Sequence, residues 1–231
     1  MATVGIVGGL GPESTIDYYR RILAAWELEH PSSAPSIVID SLDPQRALEL
    51  VAADRRALAD YLFESLQRLA GAGVDFAVLS ANTPHIVFDD LSARSRVPLV
   101  SIVETCAAEA QRRGLKRLAL LGTRFTMEAA FYPEVCARFG SEVVTPDAEE
   151  RGWVHERYVG QLLKGDFREE TRREFIELVD RLRRDERIEA VVLGGTELPL
   201  LLKEPSIAGV PALDTTALHV AAIVQRLLAA R

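Results

Sequence analysis

The sequence has few of the features that mark secreted, metal-binding or membrane-spanning proteins. It contains only two cysteines, Cys106 and Cys136, in 231 residues. Both lie within helical patterns and have no metal-ligand spacing, so we expect buried, reduced thiols and no metal site. No apolar run approaches the roughly 18 residues of a membrane-spanning helix, and residues 1–10 lack the basic and apolar segments of a secretory signal. These absences predict a cytoplasmic protein without a membrane partner.

The sequence also lacks an excess of basic residues. It has 27 Lys and Arg against 34 Asp and Glu, which gives a net charge of −7. A surface of this sign does not neutralise phosphates, so we expect no nucleic-acid partner. Hydrophobic residues make up 48% of the chain, which is enough to form the core of one large domain or of two small ones.

One sequence pattern occurs twice in the chain. Residues 74–85 and 188–199 each contain a continuous apolar run followed by small and hydroxylated residues, which is typical of a buried parallel strand that ends in a tight turn. The two stretches begin 114 residues apart, and the glycine turns at Gly8 and Gly122 have the same spacing. This repetition predicts an internal duplication. Ala81 and Gly195 would then be equivalent, and we expect them to face each other across a cleft.

Alternating strands and helices predict an α/β fold with two pseudo-symmetric domains, each built on a parallel sheet. We place the first domain at residues 1–100 plus 215–231 and the second at 101–214. The last helix is expected to pack on the first domain. The predicted helices cover residues 12–26, 54–72, 86–93, 105–113, 128–139, 149–163, 168–185 and 216–230.

In such folds, ligands bind beyond the carboxyl ends of the strands. Here those ends are rich in glycine, serine, threonine and backbone N–H groups at helix starts, which favours a small anionic ligand. The glycine-rich turn at Gly9 could instead be a dinucleotide fingerprint. However, Ser14 stands at the third glycine position and no acidic residue follows at the expected distance. A nucleotide is therefore the weaker interpretation.

Each candidate site residue also has a structural alternative. A histidine at a helix start could cap or pack, and an Asn-Thr pair could simply form a turn. A lysine at a helix end could be solvated, an arginine at a helix start could lie on the surface, and a glutamate could cap the next segment. The repetition of the polar turns favours a functional interpretation of both. The residues concerned are Arg46, Asn82, Thr83, His85, Lys164 and Glu197.

Motifs along essentially the whole chain resemble the aspartate/glutamate racemase family. The resemblance implies a cofactor-independent, homodimeric enzyme with two pseudo-symmetric α/β domains and an acidic amino acid or related carboxylate bound between them. It also implies a two-base mechanism, in which one thiol removes the α-proton and another protonates the opposite face. The motifs are Gly8-Gly9-x-Gly11-x-Glu13-Ser14-Thr15, Asn82-Thr83-x-His85, Gly122-Thr123-x-x-Thr126-Met127, Lys164-Gly165, Gly195-Thr196-Glu197-x-Pro199 and Asp214-Thr215-Thr216-x-x-His219.

The sequence departs from this family at the reacting groups. Members usually have cysteine immediately before the Asn-Thr pair and in a Gly-Cys-Thr-Glu turn, where this chain has Ala81 and Gly195. Neither residue has a titratable atom. The neighbours that titrate at useful pH are Glu197 and His85, so we expect a non-standard mechanism.

The resemblance implies an isomerase acting at an α-carbon, with no cofactor. The alternatives are a catalytically inactive carboxylate-binding protein and a paralogue that acts through an oligomer interface. Arg46 and Lys164 would supply positive charge for the substrate's carboxylates. The candidate catalytic residues are His85, Thr83, Thr196 and Glu197. The candidate substrate-binding residues are Gly9, Arg46, Ser80, Ala81, Asn82, Thr83, Thr123, Lys164, Gly195, Thr196 and Glu197.

Overall fold

The computed structural model describes residues 2–229. It divides into two compact units, which are described separately. The first consists of the residues through Ile102 together with those from Thr216 onward, and the second consists of Val103–Thr215. Between residues 2 and 229, no helix has both the length and the apolar character that crossing a membrane requires.

The first unit contains a four-stranded parallel sheet with the order β2-β1-β3-β4. A 3₁₀ turn at Thr83–Val87 follows β3. The strands are β1 (Thr3–Gly8), β2 (Ser36–Ser41), β3 (Phe76–Leu79) and β4 (Leu99–Val100). The helices are α1 (Pro12–Glu29), α2 (Pro44–Ala53), α3 (Arg55–Gly71) and α4 (Phe88–Arg94).

Helix α2 has no range among the predicted helices, although Arg46 is predicted to lie at a helix start and the start signals are present. Pro44 occupies the first turn, where its missing N–H is no loss. The Asp43 side chain accepts hydrogen bonds from the backbone N–H groups of Gln45 and Arg46, which is the usual role of an N-cap aspartate. The helix therefore occupies a stretch, residues 44–53, that lies outside every predicted helix range.

The second unit contains a five-stranded sheet with the order β6-β5-β7-β9-β8. A 3₁₀ turn at Leu162–Lys164 follows α8. The strands are β5 (Arg117–Leu121), β6 (Glu142–Val144), β7 (Ala190–Leu193), β8 (Ser206–Ile207) and β9 (Val210–Asp214). The helices are α5 (Ile102–Arg112), α6 (Arg124–Glu128), α7 (Phe131–Arg138), α8 (Ala148–Gly160), α9 (Glu169–Asp185) and α10 (Leu198–Leu201).

The second sheet is parallel, as expected, except at its edge. Strand β8 pairs with β9 in the antiparallel direction. The two-residue connection consists of Ala208 and Gly209, whose φ angles of 48° and 82° are both positive. Two successive left-handed residues form the kind of tight turn that joins antiparallel strands.

Two predicted helices also need correction. The helix expected at 128–139 is α7, which begins three residues later than predicted; the short helix α6, which the prediction lacks, ends at Glu128 and is separated from α7 by an extended Ala129 (ψ 154°). The break places Pro133 in the first turn of α7, where its missing N–H is tolerated. The helix expected at 149–163 ends at Gly160 and is followed by the 3₁₀ turn. That turn stops at Gly165, whose φ is +73°, a conformation that favours glycine.

The last helix, α11 (Thr215–Ala229), packs on the first sheet, as expected from the sequence. Its predicted final residue, Ala230, lies outside the described residues. Trp26 and Tyr18 of α1 are fully buried in the same core. The apolar residues that α11 contributes are Val220, Ile223, Val224 and Leu227.

Candidate functional site

The turn after β3, residues 80–85, is the first of the two predicted polar turns. The Ser80 side chain is fully buried and donates to the Val7 carbonyl oxygen at 3.1 Å. The Ser14 hydroxyl donates to the Ser80 carbonyl oxygen at 3.0 Å, and Thr15 Oγ1 lies 3.3 Å from Ser80 Oγ. The Ser80 hydroxyl therefore joins the ends of two neighbouring strands to the start of α1.

A glycine is required at position 9 because the backbone of Leu42, just after β2, passes very close to it. Its φ is +76°, and a Cβ atom there would lie 2.2 Å from the Leu42 carbonyl oxygen. Its backbone N–H donates to Thr15 Oγ1 at 2.9 Å. The backbone geometry alone thus accounts for a glycine at this position.

The His85 side chain is buried, and both ring nitrogens have backbone partners. Nδ1 lies 3.0 Å from the Ala81 carbonyl oxygen, and Nε2 accepts from the Ile102 N–H at 3.3 Å. The ring also stacks on Phe88 with a centroid separation of 4.9 Å. Burial, together with the nearby His219, lowers the pKa of His85 to about 3. A neutral ring with both nitrogens engaged favours the structural alternative for His85.

The other residues of this turn differ in their access to solvent. Asn82 is buried, and its carbonyl oxygen accepts from the His85 backbone N–H at 2.9 Å. Ala81 and Thr83 are only partly buried. Ala81 and Thr83 are therefore the members of residues 80–83 with exposed surface for a ligand to contact.

His219 is a second buried histidine close enough to affect the pKa of His85, and the sequence predicts no catalytic or binding role for it. Its Nδ1 lies 2.8 Å from the Tyr18 hydroxyl oxygen, and its Nε2 lies 3.0 Å from the Val100 carbonyl oxygen. Burial lowers the pKa of His219 to about 4. This neutral histidine ties α11 to α1 and to β4.

The turn after β7, residues 194–197, is the second predicted polar turn, and all four of its residues are buried. Thr196 Oγ1 donates to Glu197 Oε2 at 3.1 Å. The Tyr158 hydroxyl, from α8, makes a short hydrogen bond to the same carboxylate oxygen. Tyr158 is 4% exposed and Glu197 is 1% exposed, so both side chains of this pair are almost completely buried.

The Tyr158 ring occupies the space next to Gly195. A Cβ atom added at Gly195 would lie 2.3 Å from Tyr158 Cε2 and 2.7 Å from the phenolic oxygen. Both separations are too short for non-bonded atoms, so any side chain at position 195 requires the ring to move. Nothing in the sequence pattern marks Tyr158, whose place in an amphipathic helix predicts only a core residue.

The protonation state of Tyr158 follows from its surroundings. Burial raises the pKa of the Tyr158 phenol well above its usual value, and the charge of Glu197 raises it further. The phenol therefore keeps its proton throughout the physiological range. The arrangement is a protonated phenol that donates a hydrogen bond to a buried carboxylate.

Thr123 has a local structural role at the end of β5. Its hydroxyl accepts from the Thr126 backbone N–H at 3.2 Å and caps α6. The neighbouring Gly122 approaches β7 so closely that a Cβ atom would lie 2.6 Å from the Gly194 carbonyl oxygen. Thr123 is thereby held at the edge of the sheet at which residues 194–197 begin.

The two predicted carboxylate-binding cations are exposed. Arg46 lies in the first turn of α2, with its guanidinium carbon 5.8 Å from the centroid of the Tyr61 ring. Lys164 ends the 3₁₀ turn after α8. Arg46 belongs to the first unit and Lys164 to the second. Both side chains reach solvent, and their roles in binding remain predictions.

Both cysteines are buried and free, as expected. Burial raises the pKa of Cys136 to about 12 and also raises the pKa of Cys106 well above its usual value. Since the thiolate is the reactive form of cysteine, neither residue is suited to proton abstraction. In the part of the chain that the structure describes, no group of three or more His, Cys, Asp or Glu residues could hold a metal ion.

Comparison with known proteins gives consistent results. The profile of the Asp/Glu/Hydantoin racemase family matches residues 7–223. An aspartate racemase homologue from Pyrococcus horikoshii is 31% identical with a TM-score of 0.82, over 99% of this chain and 100% of that one. A candidate Asp/Glu racemase from Yersinia pestis is 32% identical with a TM-score of 0.88, over the same shares of the two chains. Aspartate racemase from Picrophilus torridus shares the fold at 21% identity, with a TM-score of 0.79 over 98% of this chain and 94% of that one.

Proposed function

We propose a function from the premise that this chain belongs to the Asp/Glu/Hydantoin racemase family. The protein is an isomerase that acts, without a cofactor, at the α-carbon of an acidic amino acid or a related small carboxylate. The observation that carries this proposal is the family match over residues 7–223, which includes both polar turns. The buried network at residues 194–197 supports it, because it sets an ionisable group beside the carboxyl end of a parallel strand.

The reaction would proceed without the family's usual thiols, since the corresponding residues here are Ala81 and Gly195. Among the four candidate catalytic residues, Glu197 is the one that we propose to accept a proton during the reaction, either from the substrate or from a hydrogen-bonded neighbour. Thr83 and Thr196 would orient the substrate or the base through their hydroxyl groups. Arg46 and Lys164 would bind carboxylates, and a hydrogen bond to a charged group typically contributes about 1.5–3 kcal/mol.

A second candidate function is a binding protein that retains the carboxylate pocket without turnover. The observation that favours it is the state of His85, which is neutral and has both ring nitrogens engaged. With Ala81 beside it, the turn after β3 offers no free titratable side chain. A protein of this kind would bind a dicarboxylate tightly and leave the α-proton in place.

An exchange experiment separates the two functions. The protein is incubated in deuterium oxide with L- and D-aspartate, L- and D-glutamate and a panel of other amino acids, and the α-proton signal is followed by proton NMR. Loss of the signal from an acidic amino acid supports the isomerase. If calorimetry detects binding of a dicarboxylate and its α-proton signal does not decrease, the protein is instead a binding protein.

We also propose that the protein is a cytoplasmic homodimer that needs no added cofactor. Light scattering after size-exclusion chromatography would give the mass of the particle in solution. Exchange activity that survives exhaustive dialysis against a chelator, with no added pyridoxal phosphate, would support cofactor independence. A monomeric mass or a requirement for an added cofactor would contradict the respective statement.

A further inference from the structure

We infer that Tyr158 is the acid–base residue of the second unit: its phenolic oxygen exchanges a proton with the substrate's α-carbon, and Glu197 exchanges that proton with the phenol. The inference rests on the proposed function. It assigns the proton transfer to a residue of α8 that lies 37 positions before Gly195 in the sequence.

The first argument is the position of the phenolic oxygen. A side chain at 195 would project from the turn after β7 and begin 2.7 Å from that oxygen. The phenol thus presents an oxygen atom in the volume that a reacting side chain at 195 would enter. This volume lies at the carboxyl end of a parallel strand, where α/β proteins bind their ligands.

The second argument is the partner of the phenol. An isolated buried phenol could neither receive a second proton nor lose its own at neutral pH. Tyr158 avoids both limits because its hydroxyl donates to the Glu197 carboxylate. Thr196 donates to the same carboxylate oxygen, which holds that oxygen in place between the two hydroxyl groups. The phenol can therefore pass a proton on without existing as a free tyrosinate.

The proton transfer is balanced within these groups. The substrate's Cα–H bond breaks, and its proton forms a bond to the phenolic oxygen of Tyr158. At the same time the phenol's original proton passes to the Glu197 carboxylate. The electron pair of the broken bond stays on the substrate and is delocalised into its carboxylate group. Transfer in the reverse direction, after Glu197 has exchanged with solvent, returns a solvent-derived hydrogen to the α-carbon.

The test compares wild-type protein with Tyr158→Phe in the deuterium-exchange assay. Phenylalanine keeps the ring next to Gly195 and removes only the phenolic oxygen, so the packing is preserved. General acid–base groups typically contribute about 10²–10⁴-fold in rate, and we expect the exchange rate at saturating substrate to fall by at least about 10²-fold. The KM should stay within about threefold, because the phenol does not hold the substrate's carboxylates.

Two further variants complete the design. Glu197→Gln is nearly isosteric and should reduce exchange to a similar degree, since the amide cannot take up the phenol's proton. Tyr132→Phe removes a hydroxyl from another buried tyrosine of the second unit and should leave the exchange rate close to that of wild type. Thermal unfolding of each variant verifies that the loss of rate is not a loss of folded protein.

The possible outcomes separate the inference from the function on which it rests. If wild type exchanges and folded Tyr158→Phe exchanges equally fast, Tyr158 is not the acid–base residue and the isomerase function stands. If wild-type protein exchanges no α-proton of any substrate, the isomerase function is wrong and the role of Tyr158 is rejected with it. Loss of exchange in both Tyr158→Phe and Glu197→Gln, but not in Tyr132→Phe, supports the proton relay.

Discussion

The turns after β3 and β7 occupy the same position in the duplicated sequence but contain different chemistry. In the first turn, two polar side chains bind the backbone: Ser80 joins strand ends, and His85 has backbone partners at both nitrogens. In the second, Glu197 accepts from the hydroxyl groups of Tyr158 and Thr196. The two turns therefore share their location in the fold and differ in the contacts of their polar side chains, and the second contains a buried hydroxyl–carboxylate pair.

The largest effect that we expect is on the pH dependence of the free energy of unfolding, and it arises from two buried histidines of the first unit. His85 and His219 have pKa values lowered to about 3 and about 4, whereas the unfolded chain binds these protons below about pH 6.5. The stability that comes from keeping these two histidines neutral is therefore fully present above pH 6.5 and is lost as the pH falls towards 4. Within this window, each histidine should lower the free energy of unfolding by about 1.4 kcal/mol for every unit by which the pH falls.

Denaturant unfolding between pH 7 and pH 4.5 measures this slope. His85→Asn keeps a side-chain N–H donor and removes one of the two titrating groups, so the slope should decrease by about one proton. His30→Asn replaces a partly exposed histidine and is the matched control. An unchanged slope in His85→Asn would show that the buried ring does not behave as a neutral group.

A smaller effect on thermal stability should distinguish Gly195 from Ala81, the equivalent positions of the two turns, because only Gly195 is crowded. Gly195→Val forces the Tyr158 ring away from Glu197, whereas Ala81→Val adds two methyl groups at a partly exposed site. Overpacking in a core typically costs about 1–3 kcal/mol, and we expect that loss for Gly195→Val only. Comparison of the two midpoints of thermal unfolding tests it, and equal midpoints would contradict the crowding at Gly195.

The smallest effect concerns substrate charge. Lys164→Met removes an exposed cation, and we expect dicarboxylate binding to weaken by about tenfold, at the lower end of the range for a charge-assisted contact. Lys203→Met, also in the second unit and exposed, controls for the change in net charge. Calorimetric titration at constant ionic strength gives both affinities. Equal affinities for Lys164→Met and wild type would remove Lys164 from the proposed site.

The duplicated architecture could be predicted because its signals are local. Short apolar runs and glycine turns identify every strand except β8, and the spacing of 114 residues relates the two units. Local signals also exist for α2, in the form of Asp43 and Pro44, and for the β8–β9 turn, in Ala208-Gly209. The prediction missed these two elements because it weighted hydrophobic periodicity above cap and turn chemistry.

The environments within the site could not be predicted in the same way. The sequence places His85 and Glu197 in corresponding turns, and both titrate in model peptides. Only the tertiary structure shows that Ile102 donates to the His85 ring and that Tyr158 donates to Glu197. These contacts join residues that are 17 and 39 positions apart, and no periodicity in either segment encodes them.

The packing of Tyr158 against Gly195 also constrains how this chain can change by mutation. A single substitution that introduces a cysteine at 195 meets an aromatic ring and loses the Tyr158–Glu197 contact, so it is penalised before the new thiol can contribute. A smaller residue at 158 must come first, and that step removes the phenol. The effects of mutations at positions 158 and 195 therefore depend on each other. In a library of single variants, cysteine at 195 should be depleted. In a library built on a chain that already has a smaller residue at 158, cysteine at 195 should be retained.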